Sequence, residues 1–161
     1  MKRRNFNKVF TTSLTGLSVS PSIISPFKPF RKLGVALVGL GSYSTKALGP
    51  ALLKTKYCDL KAIVTGTPSK EKVWQKEYNL DENNIYNYQN FESISYNDEI
   101  DIVYIVLPNS MHKEYTIKAL EAGKHVICEK PLALNANEAR EMINVSKKVK
   151  KELFVGYRLH Y

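Results

Sequence analysis

From Leu33 onward, short runs of apolar residues recur along the chain, and several of them end in glycine or proline. Uninterrupted apolar runs of this length are typical of strands that are buried on both faces of a parallel sheet. The pattern therefore predicts a series of strands, one of them very short. They cover residues 33–39, 59–66, 85–86, 101–108, 125–131 and 153–157.

Segments with helical spacing of apolar residues separate these runs. Helices are predicted over residues 44–56, 69–78, 110–122 and 135–151, with a short one at 91–95. Pro50 must fall in the first turns of its helix, Ser69 is a plausible N-cap, and Gly123 suits a helix end. Strands that alternate with helices at this spacing predict an α/β fold with a doubly wound parallel sheet of the Rossmann type over residues 33–161.

The first 32 residues do not follow this alternation. Residues 1–20 combine a basic start with a mildly apolar stretch rich in Ser and Thr, and residues 21–32 contain three prolines and predict an extended arm or linker. Adjacent Arg3 and Arg4, followed by Phe6, resemble the twin-arginine signal consensus, which predicts export to the periplasm. A disordered basic tail on a cytoplasmic protein stays open, because no clean A-x-A cleavage site follows.

The charge distribution limits the possible partners. The 161 residues contain 24 Lys and Arg and 15 Asp and Glu, which gives a net charge of +9. Seven of the basic residues and none of the acidic ones lie in residues 1–32, so the predicted domain is nearly neutral. This argues against nucleic acid as a partner, and a peripheral membrane function would depend on the tail alone. No apolar run is long enough to span a membrane, and the length suits one domain with a leader.

The two cysteines are not expected to form a disulfide. Cys58 opens the second predicted strand and Cys128 lies near the end of the fifth, positions that we expect at opposite edges of the sheet. Their Cα atoms would then be farther apart than the limit of about 7 Å for a bridge. Both are predicted to be buried or inert thiols.

The turn after the first strand carries the sequence GLGSYS, residues 39–44. Gly39 permits a tight turn, Gly41 lets the backbone approach a pyrophosphate, and the small Ser44 allows close packing of helix and strand. Since ligands of doubly wound sheets bind at the carboxyl ends of the strands, this position favours a dinucleotide site. An ordinary tight turn is the alternative.

The second strand ends without the acidic residue that commonly binds the adenosine ribose of NAD. Thr65, Gly66 and Thr67 stand there instead, with Lys70 following. Hydroxyls and a lysine can bind a 2′-phosphate, so this end favours NADP over NAD and argues against a methyltransferase. If residues 67–69 only form a turn and a helix cap, the choice of cofactor stays open.

Two further stretches carry a family resemblance. The stretch PNSMHKEYTIKALEAGKHVICEKPLA, residues 108–133, resembles the signature region of the Gfo/Idh/MocA oxidoreductases. The closing GYRLHY, residues 156–161, together with GLGSYS and VTGTPSK, resembles the glucose-fructose oxidoreductase branch, which is also exported by the twin-arginine route.

The resemblance implies a set of cofactor-binding positions. They are Gly39, Gly41, Ser42 and Tyr43 at the pyrophosphate, Thr65, Gly66 and Lys70 at the 2′-phosphate, Leu107, Pro108, Asn109 and His112 beside the nicotinamide ribose, Glu129 and Lys130 in the EKP motif, and Arg158 in the closing stretch.

Lys130 is the one catalytic residue that the resemblance implies. In the family this lysine reaches the nicotinamide and the substrate hydroxyl, and the Lys-Pro bond is typically cis. A cation there stabilises a developing alkoxide and helps to relay its proton. Without the other motifs, a Lys-Pro pair at a strand end would be a solvated turn. His112, His125 and His160 lack metal-ligand spacing, so no metal site is predicted.

The resemblance also implies a partner domain that we do not expect within these 161 residues. In the family a second α/β domain follows the GYRxHY strand and supplies the substrate pocket and most of the oligomer interface. We therefore expect the cofactor half of an NADP-dependent oxidoreductase of sugars or polyols, which would form homo-oligomers only with that domain. A non-catalytic NADP-binding module or an inactive remnant is the alternative.

Overall fold

A computed structural model describes residues 31–157 of the protein. The predicted signal segment, residues 1–20, and nearly all of the predicted linker lie outside the described residues. Arg158 of the closing stretch lies outside them as well.

The strands form one sheet in which every described pair of neighbours is parallel. Their order is β3-β2-β1-β4-β5-β6, which places β1 at the centre and reverses the direction of winding between β1 and β4. This confirms the predicted doubly wound α/β fold and puts the carboxyl ends of all strands at one edge. The strands are β1 (Leu33–Val38), β2 (Cys58–Val64), β3 (Ile85–Tyr86), β4 (Ile102–Ile105), β5 (His125–Glu129) and β6 (Leu153–Gly156).

The helices lie close to their predicted positions. A π-helical turn (Ser44–Leu48) leads into α1 (Gly49–Leu52), and α2 (Pro68–Tyr78), α3 (Asn109–Glu121) and α4 (Ala136–Val149) follow in order, with 3₁₀ turns at Glu82–Asn84 and Phe91–Tyr96. Asn135 caps α4, because its side-chain oxygen accepts hydrogen bonds from the amides of Asn137 and Glu138. The predicted cap of α2 is wrong: the helix begins at Pro68, and Ser69 lies inside it.

The first helix is shorter than its prediction. It ends at Leu52 instead of Lys56, and Pro50 is the second residue of α1, directly after the π-helical turn. The amide of Gly49 donates to the carbonyl of Ser44, five residues back, which widens the preceding turn. This shift in phase buries Ser44 and Gly49 and leaves Ala47 and Ala51 exposed.

Two hydrophobic clusters cover the sheet unequally. One face packs against α3 and α4 through buried residues of β1, β2, β4 and β5. The other face packs against α2 over β1 and β2, around Leu37, Ile63 and Trp74. On this second face Phe154 of β6 is 52% exposed, so residues 31–157 cover the half of the sheet formed by β4 to β6 less than the other half.

Both cysteines are free, as the sequence predicts. The predicted position of the two cysteines at opposite edges of the sheet is wrong, because β2 and β5 are interior strands; β1 and β4 lie between them. Burial raises the pKa of the Cys128 thiol to about 11, so this thiol stays protonated at neutral pH. Within residues 31–157 no helix is long and apolar enough to cross a membrane, and no group of His, Cys, Asp and Glu could hold a metal ion.

Candidate cofactor-binding site

The turn after β1 brings three strands together. Gly39 has a φ of +90°, and a Cβ on it would overlap the carbonyl of Val106, which follows β4. The amide of Gly39 donates to the carbonyl of Val64 at 3.0 Å. Only glycine suits both the left-handed conformation and this close approach. Gly39 therefore fixes the path by which the chain leaves the centre of the sheet.

Ser44 contacts the same turn through its side chain. Its side chain is fully buried, and its hydroxyl donates to the carbonyl of Gly39 at 2.5 Å. A third glycine would leave that carbonyl without this partner. The substitution of serine for glycine in the motif is therefore compatible with close packing and adds a hydrogen bond.

Gly41 has a different environment from Gly39. A Cβ on it would meet no atom within 4 Å, and its φ is not in the left-handed range. Ser42 and Tyr43 next to it are exposed as well. Neither the backbone conformation nor any contact within the described residues requires glycine here. The space in front of Gly41 is where a bound molecule can approach the backbone.

Lys70 connects the first turn with the end of β2. Its ammonium group donates to the carbonyl of Leu40 at 2.7 Å, a contact across 30 residues of sequence. Lys70 lies in the first turn of α2 and its side chain is exposed. An ammonium group has three donors, so two remain for a ligand. The lysine therefore stands between the pyrophosphate turn and the predicted 2′-phosphate end.

The end of β2 is shaped by Thr65 and its neighbours. Thr65 is buried, and its hydroxyl oxygen accepts a hydrogen bond from the amide of Thr67 at 3.2 Å, so this hydroxyl is partly used by the turn. Gly66 and Thr67 are exposed. The ring of Tyr88, which follows β3, lies beside Gly66 and contacts Tyr115 edge-on.

His112 holds two turns together and does not face the exposed edge. Its side chain is fully buried, with Nδ1 2.8 Å from the carbonyl oxygen of Pro131 and Nε2 2.9 Å from that of Leu107. Leu107 is half-buried, while Pro108 and Asn109 are exposed at the start of α3. Because His112 is buried, it can position the predicted nicotinamide turn but cannot contact a ligand at the surface. Pro108 and Asn109 are the residues of this turn that lie at the surface.

The motif after β5 forms an exposed turn. The peptide bond between Lys130 and Pro131 is cis, and Lys130 is exposed. Glu129 is half-buried; its Oε1 accepts a hydrogen bond from the hydroxyl of Tyr104 at 2.8 Å. Within residues 31–157 the side chain of Lys130 is therefore accessible at the carboxyl edge, while the carboxylate of Glu129 beside it accepts a hydrogen bond from β4.

Apart from Arg158, which lies outside the described residues, the sequence-predicted positions lie at one edge of the sheet, at the ends of β1, β2, β4 and β5 or in the turns that follow them. Gly39, Thr65 and His112 are the three buried members of the set among the described residues. Sequence reasoning did not single out Tyr88 or Tyr104. The sequence does contain an indication for Tyr104, since its hydroxyl is the one polar side-chain group in the strand IVYI of β4.

Comparisons with known proteins agree with this geometry. Residues 33–157 match the family model of the Gfo/Idh/MocA oxidoreductases, described as an oxidoreductase family with an NAD-binding Rossmann fold. The chain is similar to the aldose-aldose oxidoreductase of Caulobacter crescentus, with 42% identity and a TM-score of 0.78 over 80% of this chain and 38% of that one.

Two curated relatives show the same partial coverage. The D-xylose 1-dehydrogenase [NADP(+)] of Haloarcula marismortui is 30% identical over 78% of this chain and 34% of its own length. The D-glucoside 3-dehydrogenase of Escherichia coli is 30% identical over 80% of this chain and 35% of its own length. The chain thus spans about a third of the length of these relatives.

The fold and the motif turns define a dinucleotide-binding Rossmann domain. With the family model matched over residues 33–157, the chain belongs to the Gfo/Idh/MocA oxidoreductase family.

Proposed function

We propose that the chain binds NADP(H) and forms the cofactor half of an oxidoreductase that transfers a hydride to or from a carbon of a sugar or polyol. The observation that carries the proposal is the open space before Gly41. Neither the backbone conformation of Gly41 nor a contact within residues 31–157 requires glycine at this position. The substrate class is supported by relatives whose names specify xylose and glucosides.

The preference for NADP is supported by the residues after β2. No carboxylate stands between Thr65 and Lys70 to repel a 2′-phosphate. The ammonium group of Lys70 is fixed by the carbonyl of Leu40, so it is already placed between the two turns. A pre-positioned cation loses less conformational entropy when it binds a phosphate. The name of the Haloarcula relative also specifies NADP(+).

Lys130 is the residue that we assign to the chemical step. When bound, the nicotinamide supplies or accepts the hydride. The exposed ammonium group of Lys130 would stabilise negative charge on the substrate oxygen and hold or release its proton. His112 fixes the turns on both sides, because its ring bridges the carbonyls of Leu107 and Pro131. The protein therefore offers the exposed ammonium group of Lys130 on a turn that packs against the buried ring of His112.

Gly41→Ala tests the proposed cofactor site. We expect NADPH to bind roughly fivefold or more weakly, since overpacking by one methyl group costs about 1 kcal/mol or more. The free energy of unfolding should stay the same or rise by up to about 1 kcal/mol, because the new methyl group meets no protein atom. NADPH fluorescence titration and urea denaturation measure the two quantities.

Gly39→Ala is the matched control. The left-handed φ and the carbonyl of Val106 make this substitution unfavourable within the protein itself. We expect it to lower the free energy of unfolding by more than about 1 kcal/mol. A Gly41→Ala protein that binds NADPH as tightly as the parent would remove the main support for the cofactor site.

We also propose that residues 1–20 direct export by the twin-arginine route. The support is the sequence alone: the pair Arg3 and Arg4, the following Phe6, and a segment without acidic residues.

Arg3→Lys combined with Arg4→Lys should block export of a reporter fused after residue 32. The twin-arginine pathway reads the arginine pair, and lysines that conserve the charge do not replace it. Fractionation of reporter activity between periplasm and cytoplasm measures the effect. Export of both forms would indicate a general secretion signal, and export of neither would indicate a basic tail.

A further inference from the structure

A small cluster of residues lies near the carboxyl ends of three neighbouring strands, beside Lys130. The cluster consists of Tyr104 in β4, Glu129 at the end of β5 and Gly156 at the end of β6, where Glu129 and Gly156 are partners in the sheet register. The hydroxyl of Tyr104 donates to Oε1 of Glu129 at 2.8 Å. This contact joins residues that are 25 positions apart in sequence.

Tyr104 is a donor that does not lose its proton at neutral pH. Burial, together with the hydrogen bond and the negative charge of Glu129, raises the pKa of the Tyr104 phenol far above its ordinary value. Its ring packs against the cluster that contains Leu37 and Ile63. Both the position of the ring and the proton on its hydroxyl are therefore fixed.

The Glu129 carboxylate is confined from two further directions. A Cβ on Gly156 would lie 2.8 Å from Oε1 of Glu129 and 3.3 Å from the hydroxyl of Tyr104, so a side chain at this position would displace the pair. The other oxygen, Oε2, accepts a hydrogen bond from the backbone amide of Lys130 at 3.3 Å. Within residues 31–157 no lysine or arginine forms an ion pair with Glu129.

We infer that Tyr104 is a positioning residue, which fixes the Glu129 carboxylate and through it the backbone at Lys130. The backbone of the Lys130 turn then has a contact on each side: Glu129 accepts a hydrogen bond from the amide of Lys130, and Nδ1 of His112 lies 2.8 Å from the carbonyl oxygen of Pro131. The consequence for the site rests on the proposed function, in which Lys130 acts at the nicotinamide. The positioning itself concerns only the protein and is testable without a cofactor.

Tyr104→Phe removes the hydroxyl and keeps the ring in place. Without its partner the Glu129 carboxylate moves more freely, and we expect the Lys130 amide to exchange with solvent about fivefold faster, the equivalent of one hydrogen bond. NMR of the 161-residue chain measures this rate. The Val38 amide in β1 should keep its rate, because a general loss of stability would raise both.

Tyr115→Phe is the matched control, since it removes a hydroxyl from a buried tyrosine on the opposite face of the sheet. It should leave the rate at Lys130 unchanged. An unchanged Lys130 rate in Tyr104→Phe, or an equal increase in both variants, would overturn the inference.

Cofactor fragments test the consequence for the site. Tyr104→Phe should weaken the binding of reduced nicotinamide mononucleotide about fivefold and leave that of adenosine 2′,5′-bisphosphate unchanged. In a Glu129→Ala background, Tyr104→Phe should cause no further loss, because the residue acts through Glu129. An additive loss, or an equal loss for both fragments, would contradict the inference. Failure of the parent chain to bind either fragment or NADPH would refute the proposed function, and the exchange result would still decide the positioning.

Discussion

We expect a protein of these 161 residues to bind NADPH but not to oxidise glucose or polyols at a measurable rate. Hydride transfer requires the substrate carbon to be held in near-attack geometry, and such orientation contributes about 7 to 11 kcal/mol to catalysis. Within residues 31–157, the motif residues Lys130, Pro108 and Asn109 are exposed at the carboxyl edge of the sheet. Absorbance at the NADPH band during incubation with NADP and sugar measures the rate.

A chimaera tests the same expectation in the positive direction. Fusing the region beyond the matched segment of the Caulobacter aldose-aldose oxidoreductase to this chain should restore turnover, since the two are 42% identical over the shared part. In the chimaera, Lys130→Ala should lower kcat by roughly 100-fold to 10,000-fold, the range for a lost general acid or charge-stabilising group.

Lys147→Ala is the control, because Lys147 is an exposed lysine in the last turn of α4. It should leave kcat unchanged. Rapid sugar oxidation by the 161-residue chain alone would show that no second half is needed. A chimaera whose activity survives Lys130→Ala would remove Lys130 from the chemical step.

The fold could be predicted because each strand is a separate apolar run and each connection has a helical pattern. The central position of β1 agrees with its unbroken burial from Gly34 to Leu40. The helix after β1 was less predictable: the phase shift at Gly49 depends on packing against Trp74 and Tyr78, which lie far away in sequence. Local patterns do not contain such contacts.

The sequence was sufficient to place the motif residues at one edge of the sheet. It was not sufficient to predict which of them are buried and position the turns and which are exposed and can contact a ligand. His112 shares a motif with Pro108 and Asn109, yet it is fully buried between two carbonyl groups. The importance of Tyr104 depends on the register between β4 and β5, which sets it near Glu129. Sequence spacing carries no information on that register, so these assignments required the structure.

The last prediction concerns the choice between NADPH and NADH. The parent chain should bind NADPH more tightly, and Lys70→Ala should weaken NADPH binding roughly tenfold or more, since a charge-assisted hydrogen bond contributes about 1.5 to 3 kcal/mol. The structure adds a second effect. Lys70 also donates to the carbonyl of Leu40, so its loss loosens the pyrophosphate turn and should weaken NADH binding to a smaller extent.

The ratio of the two dissociation constants separates these effects. A fall in the ratio for NADH over NADPH reports the 2′-phosphate contact, while a weakening common to both reports the contact with Leu40. Lys76→Ala, in the last turn of the same helix α2, is the control and should change neither constant. Titrations by fluorescence supply all values. If Lys70→Ala weakens both cofactors equally, Lys70 only supports the turn, and the preference for NADP must come from elsewhere at the end of β2.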